Sequence, residues 1–205
     1  MDAKKQRYLY LRYGEKRHLF FHRILLRYKL ILYIVMDLES TCWEKRTDPK
    51  YQEIIEIGAI KLNDSLEIIE EFDRFILPIE NPQLSQFCQD LTQISQNNVD
   101  QADSFDAVFP QFLSWIGSGS YRIATWGAYD IKHIQLNCKR HSIKFPKRFT
   151  KQHINIKATF AEKKRIRPCG MDQALQMMNI PLKGTHHRGI DDARNIATIF
   201  RKLFK

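Results

Sequence analysis

The stretch Leu30-Ile31-Leu32-Tyr33-Ile34-Val35-Met36-Asp37-Leu38-Glu39-Ser40-Thr41 constrains this chain more than any other. Seven apolar residues, five of them Leu, Ile or Val, run straight into polar ones, the pattern of a strand buried on both faces. Asp37 and Glu39 stand two positions apart, and side chains two apart on a strand point to the same side. Both carboxylates therefore converge at the strand's carboxyl end, where open α/β sheets place their ligands. Two anions so close repel unless a cation lies between them, and oxygen-only ligation suits Mg²⁺ or Mn²⁺. Taken alone, the D-x-E pattern is equally compatible with two solvated carboxylates on a loop.

At 205 residues the chain suits one domain with a full core. Its net charge of +10 is unevenly placed: residues 1–29 hold nine Lys and Arg against two acids. A basic arm on a near-neutral domain points to a polyanionic partner, nucleic acid or an anionic membrane surface. The four cysteines (Cys42, Cys88, Cys138 and Cys169) include no C-x₂-C pair, which argues against a zinc ribbon or a secreted disulfide framework. They read as reduced thiols of a cytoplasmic protein. The apolar run from Ile24 to Met36 is interrupted by Arg27 and Lys29, too short and too charged to span a bilayer.

Within residues 1–28, Phe20, Phe21, Ile24, Leu25 and Tyr28 fall at helical spacing with Arg23 and Arg27 opposite. Three readings stay open there: a docked helix with a solvated basic face, a nucleic-acid contact, or a membrane-surface contact. Further strands are expected over Glu53–Leu62 and Leu66–Leu77, joined by the turn residues Asn63-Asp64-Ser65, as an antiparallel meander. Helices are expected over Ser85–Leu91, Ser104–Ile116, Tyr129–His141, Asn155–Lys164, Met171–Met178 and Ile190–Leu203. Arg122–Trp126 reads as a short strand ended by Gly127.

Asp130 opens the helix after that strand, and Asp191 and Asp192 lie in the first turn of the last helix. Acids there can simply complement a helix dipole. His187 shifts the weight: it sits in a Gly-flanked loop five residues before Asp192. A loop imidazole beside carboxylates from several strand and helix ends is the inventory for metal-assisted hydrolysis, in which a base takes a proton from water.

These residues resemble a known family. Asp37-Leu38-Glu39-Ser40-Thr41-Cys42, Thr125-Trp126-Gly127-Ala128-Tyr129-Asp130 and His187-Arg188-Gly189-Ile190-Asp191-Asp192 are similar, in order, to the three motifs of the DEDDh 3′–5′ exonuclease superfamily. The D-x-E-x-T-C form looks closest to the histone-mRNA and small-RNA exonucleases and the KapD-type proteins. The resemblance covers Leu30 to Leu203 and implies an RNase H-like α/β fold, a mixed five-stranded sheet flanked by helices. It implies a catalytic domain over 29–205; residues 1–28, by composition a basic, aromatic N-terminal extension, lie outside the resemblance. The fold calls for a fifth strand, and Phe149–Ile154 is its expected place.

The resemblance further implies that Asp37, Glu39, Asp130 and Asp192 hold two Mg²⁺ or Mn²⁺ ions, with His187 as general base. It implies release of 5′-mononucleotides from single-stranded 3′ ends, RNA favoured over DNA. Asp191 and His186 neighbour the matched positions without sharing their spacing. Leu38, Ser40 and Thr41 are candidates to contact the terminal nucleotide, and Leu91 and Thr92 to wedge against its base. Leu38 and Leu91 have a core-packing reading as well. Trp126 reads either as a stacking surface or, at the end of a buried strand, as core. A DNA-directed 3′ exonuclease and a regulatory binding protein on the same fold are the alternatives.

Overall fold

β1 (Ile31–Ser40) is the central strand of a five-stranded sheet, with Ile34, Val35 and Met36 fully buried. The computed structural model describes residues 31–45 and 48–205, so the expectations for 1–28 lie outside the described residues. β2 (Ile54–Leu62), β3 (Ile68–Phe75), β4 (Ser120–Thr125) and β5 (His153–Asn155) complete the order β3-β2-β1-β4-β5. β1 runs antiparallel to β2 and parallel to β4. β3 is antiparallel to β2 and β5 parallel to β4, which makes the mixed sheet expected from the sequence.

β4 starts two residues before its expected place and ends at Thr125, leaving Trp126 outside it, and two further strands differ from expectation. β3 starts at Ile68 because Leu66 adopts φ +61° in the turn, where the Asn63 side chain accepts from the Glu67 N–H. The fifth strand is confined to His153–Asn155, and the segment before it is a helical turn, α5 (Arg148–Lys151). That turn drops Phe149 into the core beside Phe109, Phe112 and Tyr121, which an extended Phe149–Lys151 would not do.

The remaining helices are α1 (Gln86–Thr92), α2 (Gln96–Asp100), α3 (Phe105–Ile116), α4 (Tyr129–Arg140), α6 (Ile156–Lys164), α7 (Met171–Met177) and α8 (Gly189–Phe204). α2 has no apolar stripe to betray it. Its five residues are held by a capping box between Ser95 and Asn98.

Alternation along β1 divides the core. Ile34, Met36 and Leu38 pack with Phe105, Phe109 and Phe112 of α3 and Ile131 and Ile134 of α4. Val35, on the opposite face, packs with Ile190, Ala193 and Phe200 of α8. Each such Leu, Ile, Val or Phe contributes about 1.5–3 kcal/mol of burial, so a slip of one residue in β1 would invert both layers. Asp37 and Glu39 follow Val35 on the α8 face.

Candidate active site

Four carboxylates from three elements meet at the carboxyl end of β1. Asp37 and Glu39 come from β1, Asp130 from the first turn of α4 and Asp192 from the first turn of α8. The break between β4 and α4 is made at Gly127, whose φ of +120° disfavours any side chain. Glu39, Asp130 and Asp192 are buried, Asp37 half-buried. Oxygens of Asp37, Glu39 and Asp192 lie within 4.8 Å of one another. They border an open cavity of about 360 Å³, which Asp130 also lines.

The electrostatics follow from this crowding. Desolvation, then the charges of Asp130, Glu39 and Asp192, hold the Asp37 carboxyl well above the usual carboxylate range. Burial and the charge of Glu56 do the same to Glu39. Burial lifts Asp130 to about 6, and it raises Asp192 against the opposing pull of His186. An all-oxygen, mutually repelling set is the donor chemistry that divalent cations such as Mg²⁺ and Mn²⁺ fit.

The histidine loop carries a backbone constraint. His187 has φ +64°, an uncommon conformation for a residue with a side chain. In an extended chain, neighbouring side chains point to opposite sides. Here the His186 and His187 rings stack, centroids 4.0 Å apart at 19°. His186 Nδ1 lies 3.0 Å from Asp192 Oδ2, while His187 donates its backbone N–H to the same oxygen at 3.0 Å. The imidazole touching Asp192 is therefore that of His186, and the ring of His187 stands beside it at the cavity wall. Burial, then the adjacent His186, lowers the His187 pKa, which favours the neutral ring a base requires.

Glu56 and Arg188 were not singled out by the sequence, yet they set where this loop stands. Glu56 faces Glu39 across the β1–β2 ladder and is fully buried. It accepts from the Arg188 side chain and from the Gly189 N–H. The signal was present: a charged residue inside the apolar strand EIIEIGAI must have a partner if it is buried. Gly58 is required for the same contact, because a Cβ there would stand 2.1 Å from the backbone of Gly189 and Ile190. Asp191 and Asn195 secure the other end of the loop, by the Thr185 N–H and by both backbone polar groups of Lys183.

Of the remaining candidates, Leu38 and Trp126 line the cavity. Trp126 also satisfies the core reading: its Nε1–H donates to the Cys169 carbonyl, and its ring lies 5.9 Å from Phe160. Ser40, Thr41, Leu91 and Thr92 are not among the cavity's lining residues. Ser40 Oγ lies 3.3 Å from His133 Nδ1. The Thr41 hydroxyl accepts from the Glu53 N–H, and that of Thr92 donates to the Cys88 carbonyl. Leu91 is exposed on α1. Tyr129, unremarked in the sequence beside Asp130, lines the cavity with its ring stacked on His133.

The Exonuclease (RNase T) family model matches residues 34–200. The 3′–5′ exonuclease Snipper of Drosophila melanogaster is 31% identical over 84% of this chain and 69% of its own length. The ERI1 exoribonuclease 2 of Homo sapiens is 33% identical over 84% of this chain, but the match spans only 28% of that protein. Among solved structures, the nuclease domain of 3′hExo, a DEDDh family member bound to rAMP, superimposes with a TM-score of 0.77 at 32% identity. That match covers 86% of this chain and 92% of the other.

Proposed function

The chain belongs to the exonuclease family whose model covers residues 34–200, and on that premise we propose that it is a metal-dependent 3′–5′ exoribonuclease acting on single-stranded 3′ ends. The observation that carries the reading is the convergence of Asp37, Glu39, Asp130 and Asp192 at one cavity, each with its pKa raised. Such a cluster costs the fold electrostatic energy that bound cations would offset. These four residues would hold two divalent ions, Mg²⁺ or Mn²⁺. Bound there, the ions supply Lewis acidity to the scissile phosphate and the attacking water.

The chain's own residues do the rest. His187, neutral at the cavity wall, accepts a proton from the water. The clamp on Arg188 and Gly189 keeps its loop and Asp192 in place. Leu38 and Trp126 flank the terminal nucleotide, Leu91, exposed on α1, and the adjoining Thr92 serve as the wedge against its base, and Ser40 and Thr41 hold the loop after β1. The products are 5′-mononucleotides. A preference for RNA is supported by the relative named an exoribonuclease and by the ribonucleotide bound in the 3′hExo structure.

Residues 29–205 form the catalytic domain in this reading, and 1–28 a basic extension that grips nucleic acid. Among the described residues no helix is long and apolar enough to cross a membrane. The four cysteines are free thiols, which suits a cytoplasmic setting.

End-labelled RNA and DNA oligomers with 3′-hydroxyl or 3′-phosphate ends, incubated with and without a chelator, test the reading. Chelator-sensitive release of mononucleotides, faster from RNA, is expected. Faster release from DNA would transfer the assignment to a DNA exonuclease. Binding without release would make the chain a binding protein.

A further inference from the structure

His186 is an imidazole at the cavity that the proposed reaction does not use. We propose that His186, His187 and Asp192 form a second, transition-metal site, with Zn²⁺ as its ion, that shares Asp192 with the carboxylate centre, and that filling it shuts that centre. Ligand atoms of the three residues lie within 4.8 Å of one another. His186 Nδ1 already stands 3.0 and 3.2 Å from the two oxygens of Asp192. Zinc bonds of about 2.0–2.1 Å in a tetrahedron put neighbouring donors about 3.4 Å apart. The two rings stack, so one must turn about its side-chain bonds for both to reach one ion, and the His186 side chain, 38% exposed, is the freer of the pair His186–Asp192.

The donor types separate this site from the carboxylate cluster. Two imidazole nitrogens and one carboxylate oxygen, with a fourth position open to water, match the borderline-soft Zn²⁺. Mg²⁺ demands oxygen ligands and does not compete for imidazole. The left-handed turn at His187 puts two consecutive rings on one side, where an extended backbone would point them apart. Nδ1 of His186 becomes a ligand when its ring proton resides on Nε2, so a neutral ring needs no net proton loss.

Occupation has two consequences. The His187 ring nitrogen is engaged and accepts no proton from water, and Asp192 is drawn from the carboxylates to the imidazoles. This inhibition rests on the proposed exonuclease function; the binding itself does not.

Equilibrium dialysis of the full chain against Zn²⁺ in excess Mg²⁺, with thiols kept reduced, compares wild type, His186→Ala, His186→Gln and Asp37→Asn. Losing even an outer partner of a metal ligand costs about 10–100-fold in affinity, so both His186 variants should lose at least that much. Asp37→Asn should retain zinc. Equal zinc affinity in wild type and in either folded His186 variant would overturn the proposal. So would a loss in Asp37→Asn as large as that in the His186 variants, which would place zinc on the carboxylates. In parallel, zinc should inhibit RNA trimming by wild type and inhibit the His186 variants less. Should no trimming occur at all, the exonuclease reading fails while the dialysis still decides the zinc site.

Discussion

Glu56 and Arg188 form a two-pronged ion pair beneath the candidate site, Nε to Oε2 and Nη2 to Oε1, each at 3.2 Å. The Gly189 N–H adds a third bond to Oε2 at 2.9 Å. Arg188 is the N-cap residue immediately before α8, one position after His187 and four before Asp192. A single carboxylate in β2 thus ties the entire third motif to the strand pair that carries Asp37 and Glu39.

Glu56→Ala should destabilise the protein by roughly 3–5 kcal/mol, because it leaves a partly buried guanidinium and a buried N–H unpaired. Glu56→Gln keeps an acceptor for the Gly189 N–H and should cost less. Urea unfolding of the two variants gives the ranking, and equal losses would mean that the charge pairing contributes nothing.

Gly58→Ala should be more damaging than a methyl group on a strand ordinarily is. Its Cβ would meet Gly189 C and Ile190 N at 2.1 Å, both backbone atoms that cannot rotate away. The strain should reach at least about 1–3 kcal/mol and displace the start of α8. Thermal unfolding together with RNA turnover checks this, and a variant with unchanged turnover would show that α8 tolerates the shift.

Asp37→Ala, Glu39→Ala and Asp130→Asn should each abolish nuclease activity without loss of fold. Each removes one charge from a cluster in which neighbouring acids hold the pKa values of Asp37 and Glu39 up. The melting temperature in a chelator should hold or rise slightly, while the stabilisation gained on adding Mg²⁺ or Mn²⁺ should shrink. Near-wild-type turnover in any of the three would remove that residue from the proposed centre.

His187→Ala should lose about 10²–10⁴ in rate, the usual worth of a general base. His186→Ala should lose less, although His186 is the ring in contact with Asp192. Turnover numbers at saturating RNA decide the matter. The opposite ranking would assign the proton transfer to His186.

His133→Phe should flatten the acid limb of the stability curve. His133 is fully buried, and its Nε2 has no hydrogen-bond partner among the described residues. Burial, then Lys132 and Arg140, lowers its pKa to about 4. A depressed imidazole favours folding above the unfolded pKa of about 6.5, and that stability is lost as pH falls from 6.5 through about 4. Across this window the loss for wild type is on the order of 3 kcal/mol. Denaturant titrations at several pH values should show a shallower fall for the Phe variant, and parallel curves would rule out His133 as the titrating group.

The residues and their order were enough to determine the central strand, the same-side placement of Asp37 and Glu39, the meander of β2 and β3, and the amphipathic helix that ends the chain. These features follow from local periodicity: alternation on a strand and 3.6-residue recurrence on a helix act within a few residues of one another. The same holds for the association of Asp130, His187 and Asp192 with strand and helix ends.

Tertiary structure alone decided what depends on contacts between distant segments. Phe149 became helical because the core between α3 and β4 had room for its ring, which no pattern in a polar, basic segment reports. The capping box of α2 uses two polar side chains and no apolar stripe. Glu56 found its partners 132 and 133 residues away, where Gly58 and Gly189 let two backbones approach. His186 and His187 came to share one side of the cavity because φ at His187 is positive, a local strain held by the bonds of Asp192, Asp191 and Glu56 around it. Spacing along a chain records which side chains can share a face; the closure of the sheet and of α8 upon it determines which of them meet.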